Sequence, residues 1–501
     1  MSTLTSPPRA GARAWLGLSV LALATLLLAV DNTVLVLALP HLAADLRPSA
    51  VELLWITDAY GFMIAGFMIT MGSLGDRIGR RRLLLIGSAA FGVASALAAY
   101  SVTTEMLIAA RVLLGVAGAM LGPSALALVT TLFTDARQRA MAIGVFTACF
   151  MGGAALGPVI GGMLLETFWW GSVFLMGVPV MALVLAVGAV LPEERVREPG
   201  RIDLVSVLMS LATVLPVVYG LKELAKDPAR PVAYLVLAAG VAVGIAFVRR
   251  QRRLTHPLLD LSLFAERSFT AALSVLLLTM LTQGGLYLFV GQYLQLVESL
   301  TPMAAGLWMA IPATALVAGS LMAPALARRY RPASVVGLGL AGSAAGFALV
   351  VAGDGFATLL AGLTIGFLGT APVGALGLGL IVGAAPARQA GSASALAESG
   401  GELGVALGIA LFGSVGTAVY ASRTTSPQAG DSLSDAVTAA ATMPADVAGP
   451  LLAQARAAFT GSLATVAGLS AAIALGLAVV SFALLRHLRP IGHEPGGDDL
   501  G

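Results

Sequence analysis

Residues 141–164 read MAIGVFTACFMGGAALGPVIGGML, an apolar run with no charged side chain. A helix of this length crosses the hydrocarbon core of a bilayer, which is about 30 Å thick. Gly153, Gly157 and Gly161 are four residues apart, so a helix places them in one stripe without side chains. Such stripes let membrane helices pack backbone to backbone. This close van der Waals contact holds the helices together, since the hydrophobic effect does not drive them together within lipid. Pro158 removes a backbone donor and predicts a kink beside the stripe.

Apolar runs of similar length recur along the whole chain of 501 residues. Hydrophobic residues make up 58% and charged residues 11% of the sequence, whereas soluble domains carry about 25% charged residues. Helices satisfy their backbone hydrogen bonds internally, so an all-α integral membrane protein is predicted. The fourteen predicted spans lie near 15–39, 54–74, 83–102, 105–127, 141–164, 171–192, 204–221, 231–248, 268–294, 303–327, 333–352, 357–383, 392–419 and 458–485.

The distribution of positive charge predicts the orientation. Most of the 29 Lys and Arg residues fall in alternate loops and in the two terminal segments. Cytoplasmic loops are enriched in positive charge, so both termini are predicted to lie in the cytoplasm, in agreement with an even number of spans. The preference for Arg over Lys and the heavy use of Ala suggest a GC-rich bacterial genome. We therefore expect a multi-pass protein of the bacterial cytoplasmic (inner) membrane.

The residue content argues against several other classes of protein. Cys149 is the single cysteine and lies within the fifth predicted span, so neither a disulfide framework nor a metal site is expected. The sequence contains no G-x-x-x-x-G-K-[ST] segment to cradle a nucleotide phosphate, and no cofactor is predicted. The arginines lie where topology requires them, so no nucleic-acid partner is predicted.

The spans fall into two blocks of six with two spans between them. Residues 1–192 are predicted to form the first six-helix bundle, 193–250 two inserted helices, and 251–501 the second six-helix bundle. Two parallel six-helix halves, with a substrate bound near the membrane midplane, are typical of secondary transporters. The long loop 420–457 is predicted to lie outside, either as a flexible loop or with short amphipathic helices.

The loop between the second and third spans, GSLGDRIGRRR at 72–82, resembles the cytoplasmic loop motif of the major facilitator superfamily. Gly72 is expected to allow close helix contact, and Gly79 a tight turn. Asp76 is expected to accept hydrogen bonds from Arg80 and to form a gating latch, with Arg77 and Arg80 as its basic partners. The alternative is that these arginines only anchor the topology.

The first span contains an acid within LLLAVDNTVLVLALP at 26–40. Asp31 lies eight residues from the outer end of that span, or roughly 12 Å deep. A charge at such depth costs about 2.5–3.5 kcal/mol or more, and these residues usually serve ion or substrate pathways. Arg111 lies at a similar depth in the fourth span. We predict that it pairs with Asp31, in a coupling role or as a purely structural ion pair.

Three other acids within predicted spans are candidate site residues. Asp58 lies near the outer end of the second span, either as a cation-attracting carboxylate or as an interface residue that reaches water. Glu398 and Glu402 are four residues apart in the thirteenth span and share one helix face. Two neighbouring carboxylates in a low-dielectric site are not both ionised cheaply, which suits a proton carrier. The alternative for Glu398 is that it simply faces water.

Aromatic and sulfur-containing residues are the remaining candidates for substrate contact. Aromatic faces bind quaternary cations and Met side chains adapt to varied shapes, although most such residues face lipid or neighbouring helices. The candidates are Trp55, Tyr60, Met63, Gln283, Tyr287, Tyr293 and Trp308. Trp169 and Trp170 are instead expected in the outer aromatic belt.

These motifs together resemble the fourteen-helix drug–proton antiporters of the major facilitator superfamily. The resemblance implies a facilitator fold of two six-helix bundles plus two extra helices. The fifth span resembles that family's antiporter motif, which implies export in exchange for a proton. The residues that match this motif are Gly144, Gly153, Gly157, Pro158, Gly161 and Gly162.

The function that the resemblance implies is proton-coupled export of lipophilic cationic drugs by alternating access, with protons and the lipid bilayer as further partners. Quaternary ammonium compounds and dyes are the expected substrates. The tenth span lacks an acid that some exporters of dicationic drugs carry, so monocations are favoured. One alternative is a dedicated exporter of a self-made antibiotic or metabolite. A membrane-embedded sensor or enzyme is a second alternative. Two features of the sequence argue against it: the predicted spans contain no cluster of metal ligands, and no soluble domain is predicted.

Overall fold

The computed structural model describes residues 10–133, 135–188, 191–192, 203–226, 230–254, 261–353, 355–384, 390–424 and 426–484. Within some helices, single residues such as Asp76 are described by their backbone only. Thirteen helices of the described chain are long and apolar enough to cross a membrane, and Ser172–Val187 adds a shorter apolar segment. This pattern confirms the predicted all-α class and agrees with fourteen crossings.

The helices follow one another with short connections. In chain order they are α1 Ala12–Leu46, α2 Ala50–Ile78, α3 Arg80–Ala99, α4 Thr104–Leu132, α5 Ala136–Thr167, α6 Ser172–Leu175, α7 Gly177–Val187, α8 Leu204–Lys226, α9 Pro231–Gln251, α10 Arg267–Gln292, α11 Pro302–Arg329, α12 Pro332–Ala352, α13 Phe356–Gly383, α14 Ala390–Arg423, α15 Leu433–Ala440 and α16 Ala445–Leu484. A π-helical turn, Tyr293–Val297, extends α10, and 3₁₀ turns occupy Leu261–Ala265 and Pro427–Ala429.

The sixth predicted span is interrupted in the structure. A single residue, Met176, separates the short helix α6 from α7. Pro179 follows three residues later, and its ring conflicts with the carbonyl of the residue four positions earlier, Leu175. The break therefore follows from local sequence, although the span was predicted as continuous.

The predicted outer loop 420–457 is largely helical. α14 continues to Arg423, and α15 begins at Leu433. Ser432 caps it, because its side chain accepts a hydrogen bond from the backbone N–H of Asp435. The last helix starts at Ala445, thirteen residues before the predicted span, and runs for 40 residues. The alternative of short helices is correct for Leu433–Ala440, whereas the helical residues 445–457 are the first part of the long helix α16.

The chain divides into two compact units. The first contains the described residues of 1–258, 291–307 and 426–453, and the second contains those of 259–290, 308–425 and 454–484. The helices α8 and α9, predicted as an insertion, belong to the first unit. They pack against each other, and α8 also packs against α2.

The α8–α9 hairpin is held by polar contacts near both of its ends. Arg250 Nη2 lies 2.8 Å from Asp203 Oδ1, and Arg230 Nη1 lies 2.8 Å from Glu223 Oε2. Burial alone would raise the pKa of Asp203, but hydrogen bonds from Ser206 and Arg250 outweigh it and hold that pKa below its usual value. The carboxylate is therefore ionised near neutral pH and stabilises the hairpin.

In the second unit, helices α12 and α13 pack closely through glycines. A Cβ added at Gly346 would lie 2.5 Å from the backbone nitrogen of Gly366, and one at Gly339 would lie 2.5 Å from the carbonyl oxygen of Gly369. Small residues at such crossings supply the van der Waals contact that holds membrane helices together.

Candidate functional site

The first unit brings Asp31 of α1 and Arg111 of α4 together, as the sequence predicts. Arg111 Nη1 lies 3.2 Å from Asp31 Oδ2, and the two side chains are 1% and 4% exposed. The residues are 80 positions apart in the chain, so only the packing of α1 on α4 makes the contact. Because both charges are buried, removal of either one leaves the other uncompensated.

Arg111 has three further contacts that the sequence motifs did not indicate. Its Nε donates a 3.0 Å hydrogen bond to the backbone carbonyl of Ile56 on α2. The guanidinium carbon lies 4.5 Å from the ring centroid of Tyr60 and 5.9 Å from that of Phe174 on α6. We call Asp31, the Ile56 carbonyl, Tyr60 and Phe174 the Arg111 cluster. Four helices thus meet at one guanidinium group.

The glycine stripe of α5 faces α1 at the level of Asp31. A Cβ added at Gly153 would meet the backbone of Leu26, and one at Gly157 would meet the side chain of Thr33. Leu26 and Thr33 lie five residues before and two residues after Asp31. The expected backbone-to-backbone packing is therefore present, and it involves the segment of α1 that carries the acid.

The remaining positions of the predicted antiporter motif behave differently from one another. A Cβ at Gly161 would meet Val34 of α1, and one at Gly162 would lie 2.5 Å from the carbonyl oxygen of Pro302. No described atom lies within 4 Å of a Cβ added at Gly144, so the described structure shows no packing requirement there. Helix α5 continues through Pro158.

The α2–α3 loop shows the predicted turn but not the predicted glycine contact. Gly79 separates the two helices with a φ of 101°, a conformation that favours glycine. No described atom lies within 4 Å of a Cβ added at Gly72, so the close contact expected there is not found among described residues. A Cβ at the neighbouring Gly75 would lie 3.0 Å from Cδ of Arg80.

The gating latch depends on a side chain that the structure does not describe. Asp76 is described by its backbone only, so its predicted hydrogen bond from Arg80 lies outside the described residues. Arg77 is exposed and Arg80 is half-buried.

Asp58 is 0% exposed, which excludes the alternative of a carboxylate that reaches water at the interface. It lies on α2 two residues before Tyr60, which corresponds to about 200° around the helix. Asp58 is therefore a second buried acid of the first unit, on a different face of α2 from the one that contacts Arg111.

In the second unit, α14 carries Glu398 and Glu402 one turn apart. Glu398 is exposed and Glu402 is half-buried. The two carboxylates therefore differ in exposure although they lie one turn apart on the same helix.

Helix α14 is held next to α10 by glycines that sequence reasoning only partly identified. A Cβ at Gly404 would lie 2.5 Å from the carbonyl oxygen of Leu277, and one at Gly284 would lie 2.5 Å from the carbonyl oxygen of Val405. Gly404 lies two residues after Glu402 in a predicted span, whereas no sequence motif points to Gly284 on the facing helix. The Gly284–Gly285 pair inside a predicted span was the available signal.

Three of the aromatic and polar candidates have partners among the described residues, although Trp308 is itself exposed. Gln283 Nε2 donates to Thr370 Oγ1 at 2.6 Å, and the Tyr293 hydroxyl donates to Glu298 Oε1 at 2.8 Å. Trp308 packs edge-on against Phe356 at 4.9 Å. These contacts give the side chains structural roles in the described conformation.

Comparison with known proteins decides the family. Residues 21–409 match the family model described as Major Facilitator Superfamily. The chain belongs to the major facilitator superfamily. This facilitator is 42% identical over 488 residues to the multidrug efflux pump LfrA of Mycolicibacterium smegmatis, with 95% of this chain and 97% of the relative covered.

Two further relatives are resistance proteins. The facilitator is 38% identical over 408 residues to the methyl viologen resistance protein SmvA of Salmonella typhimurium, with coverage of 80% and 82%. It is 33% identical over 441 residues to the puromycin resistance protein pur8 of Streptomyces alboniger, with coverage of 83% and 85%.

Among solved structures, a bacterial homologue of the human lysosomal transporter Spinster, in an inward-facing and occupied conformation, matches with a TM-score of 0.66. The identity is 16%, and 95% of this chain and 97% of that chain are covered. This likeness supports the facilitator fold. Membership of this family makes the chain a membrane transporter, and its sequence relatives include multidrug efflux and antibiotic resistance proteins.

Proposed function

We propose that this facilitator exports lipophilic cationic drugs and antiseptics, such as quaternary ammonium compounds and dyes, in exchange for protons. The observation that carries the proposal is the buried pair of Asp31 and Arg111. An ionisable pair inside apolar helices is costly, and in membrane proteins such groups mark ion or substrate pathways. The name of LfrA, a multidrug efflux pump, supports the same direction of transport.

Asp31 is the proposed proton carrier of the first unit. Its attraction to Arg111 favours the ionised carboxylate and keeps α1 against α4. A proton that reaches Asp31 removes this attraction and leaves Arg111 held by the Ile56 carbonyl and the two aromatic rings. The change in charge thereby biases the equilibrium between conformations, as alternating access requires.

Glu402 and Glu398 are the proposed cation-attracting groups of the second unit, and Asp58 is a further candidate in the first. A lipophilic cation that enters from the cytoplasm or the inner leaflet is attracted by these carboxylates, and protons from outside neutralise them and release it. Exchange of one proton for one monocation is electroneutral. A dication would also move against a membrane potential worth about 2.3 kcal/mol per charge per 100 mV.

The two sequence motifs have supporting roles in the proposal. The α5 stripe lets α1 and α5 move as one packed pair, because each glycine removes a side chain from their interface. The loop of Gly72, Asp76, Arg77, Gly79 and Arg80 lies at the proposed cytoplasmic face and biases the two access states. In the proposed orientation both termini lie on the cytoplasmic side of a bacterial inner membrane.

The test uses inverted membrane vesicles that contain the protein and follows ethidium or a quaternary ammonium compound under an imposed pH gradient. Wild type is compared with Asp31→Asn, Glu398→Gln and Glu402→Gln, and with Glu105→Gln as the control. Glu105 is an exposed acid in the first turn of α4. We expect uptake that an ionophore abolishes and that at least Asp31→Asn reduces more than tenfold, with the control unchanged.

Folded wild-type protein that moves no cation under the gradient would refute the multidrug proposal. The second candidate would then be favoured, a dedicated exporter of one antibiotic or metabolite. The name of pur8, which refers to resistance to one antibiotic, supports this candidate. A panel that includes ethidium, methyl viologen and puromycin separates the two, because a dedicated exporter transports few of its members.

A further inference from the structure

Arg111 is in contact with two aromatic rings on two different helices. Tyr60 of α2 is the nearer ring at 4.5 Å, and Phe174 of α6 is the second at 5.9 Å. Both ring-bearing residues are almost fully buried, at 2% and 1% exposed. A guanidinium over an aromatic face is attracted by the ring quadrupole, and the attraction is stronger where water is excluded. The rings are therefore part of what fixes the guanidinium.

Phe174 lies on α6, two residues before the break at Met176. The segment α6 is only four residues long, and neighbouring contacts hold it in place. Trp170 donates a 2.7 Å hydrogen bond to Asp45 near the end of α1 and packs edge-on against Phe174 at 6.4 Å. Gly177 follows on α7, where an added Cβ would lie 2.5 Å from Ser95 Oγ of α3. The ring is thus anchored on both sides.

We propose that Phe174 is a positioning residue, which together with Tyr60 keeps the Arg111 guanidinium against Asp31 and so sets the pH at which Asp31 accepts a proton. The sequence indicates Tyr60 as a candidate for substrate contact and contains no motif that points to Phe174. The inference rests on the proposed function for its consequence in transport. Its structural content, the control of Asp31 protonation, is testable without transport.

The surroundings of Asp31 make Arg111 the dominant charge. The α5 stripe presents glycines at this level, and residues 172–187 contain no ionisable side chain. Asp58 lies on another face of α2, and α15 and the π turn, which also contact α1, carry Asp435 and Tyr293. A displaced guanidinium therefore removes the main attraction for the Asp31 carboxylate.

The experiment measures protonation and transport separately. Infrared titration of the purified full-length protein follows the carbonyl band of protonated carboxylic acids, and Asp31→Asn identifies the part of this band that belongs to Asp31. The variants are Phe174→Leu, which keeps apolar volume but removes the ring, and Phe174→Tyr, which keeps the ring. Phe91→Leu is the matched control, because Phe91 is an equally buried ring of the same unit on α3, near Gly177.

We expect Phe174→Leu to move the midpoint of the Asp31 band to higher pH by about half a unit to one unit, the range that a buried cation–π contact supports. The pH midpoint of drug uptake is expected to shift in the same direction. Phe174→Tyr is expected to stay near the wild type, and Phe91→Leu to leave both midpoints unchanged. Thermal melting in detergent confirms that each variant is folded.

Equal midpoints for Phe174→Leu and the wild type would overturn the proposal, as would an equal shift in Phe91→Leu. A shifted infrared midpoint in a protein whose wild type moves no cation would uphold the positioning role and refute the proposed function. If Phe174→Leu does not fold, Phe174→Met is measured in its place under the same criteria, because Met also fills the space without a ring.

Discussion

The buried pair of Asp31 and Arg111 predicts a specific pattern of stability in a double-mutant cycle. At 3.2 Å and an effective dielectric constant of about 20, the attraction between the two charges is about 5 kcal/mol. Desolvation of the two ions costs several kcal/mol each, so the net worth of the pair is near zero compared with neutral residues of the same volume. Loss of one partner instead leaves the other charge buried, which costs about 3–5 kcal/mol.

The variants are Asp31→Asn, Arg111→Met and the double substitution. We expect Arg111→Met to lose about 3–5 kcal/mol of unfolding free energy, Asp31→Asn to lose a similar amount, and the double variant to lie within about 2 kcal/mol of the wild type. The assay is reversible unfolding in mixed micelles, with drug uptake in vesicles measured in parallel. The double variant is expected to fold but to transport nothing, because it has neither the proton acceptor nor its partner.

Two outcomes would refute this reasoning. Additive losses in the double variant would show that Asp31 and Arg111 do not interact in the folded protein. A stable Arg111→Met variant with unchanged pH dependence of uptake would show that the carboxylate is not controlled by the arginine.

Three further predictions concern packing, backbone and charge. Gly157→Ala places a Cβ into a side chain of α1 and is expected to cost about 1–3 kcal/mol in the same unfolding assay, whereas Gly152→Ala, with no described atom within 4 Å, is expected to be tolerated. Gly79→Ala at a φ of 101° is expected to lower stability by about 1–2 kcal/mol, and an equal effect of Gly72→Ala would contradict the strain argument. Asp203→Asn is expected to lose about 1–2 kcal/mol near pH 7, since the pKa of Asp203 is held low. The stabilisation is present above the unfolded pKa of about 3.9 and fades as the pH falls through the lower folded pKa, so a pH-independent difference would refute it.

Much of the architecture is predictable from sequence, because a bilayer imposes simple rules. Apolar runs of sufficient length must be helices, and the predicted spans match helices throughout the described chain. Two regions differ from the predicted spans. The sixth span breaks near Pro179. In the predicted loop 420–457, which is not apolar enough to be predicted as a span, Leu433–Ala440 forms a short helix and Ala445–Leu484 begins.

The composition of the candidate site is predictable from the sequence: an acid and an arginine at similar depth in two apolar helices, a glycine stripe in a third, and two glutamates one turn apart. Periodicity and hydropathy carry this information because they are local properties of the chain. Which of these groups come into contact depends on how the helices pack. The Phe174 ring lies 5.9 Å from the guanidinium carbon of Arg111, and Asp58 is fully buried, because helices distant in sequence pack around them. Such contacts join residues from different helices, and no pattern within a single helix specifies which face a distant helix will cover.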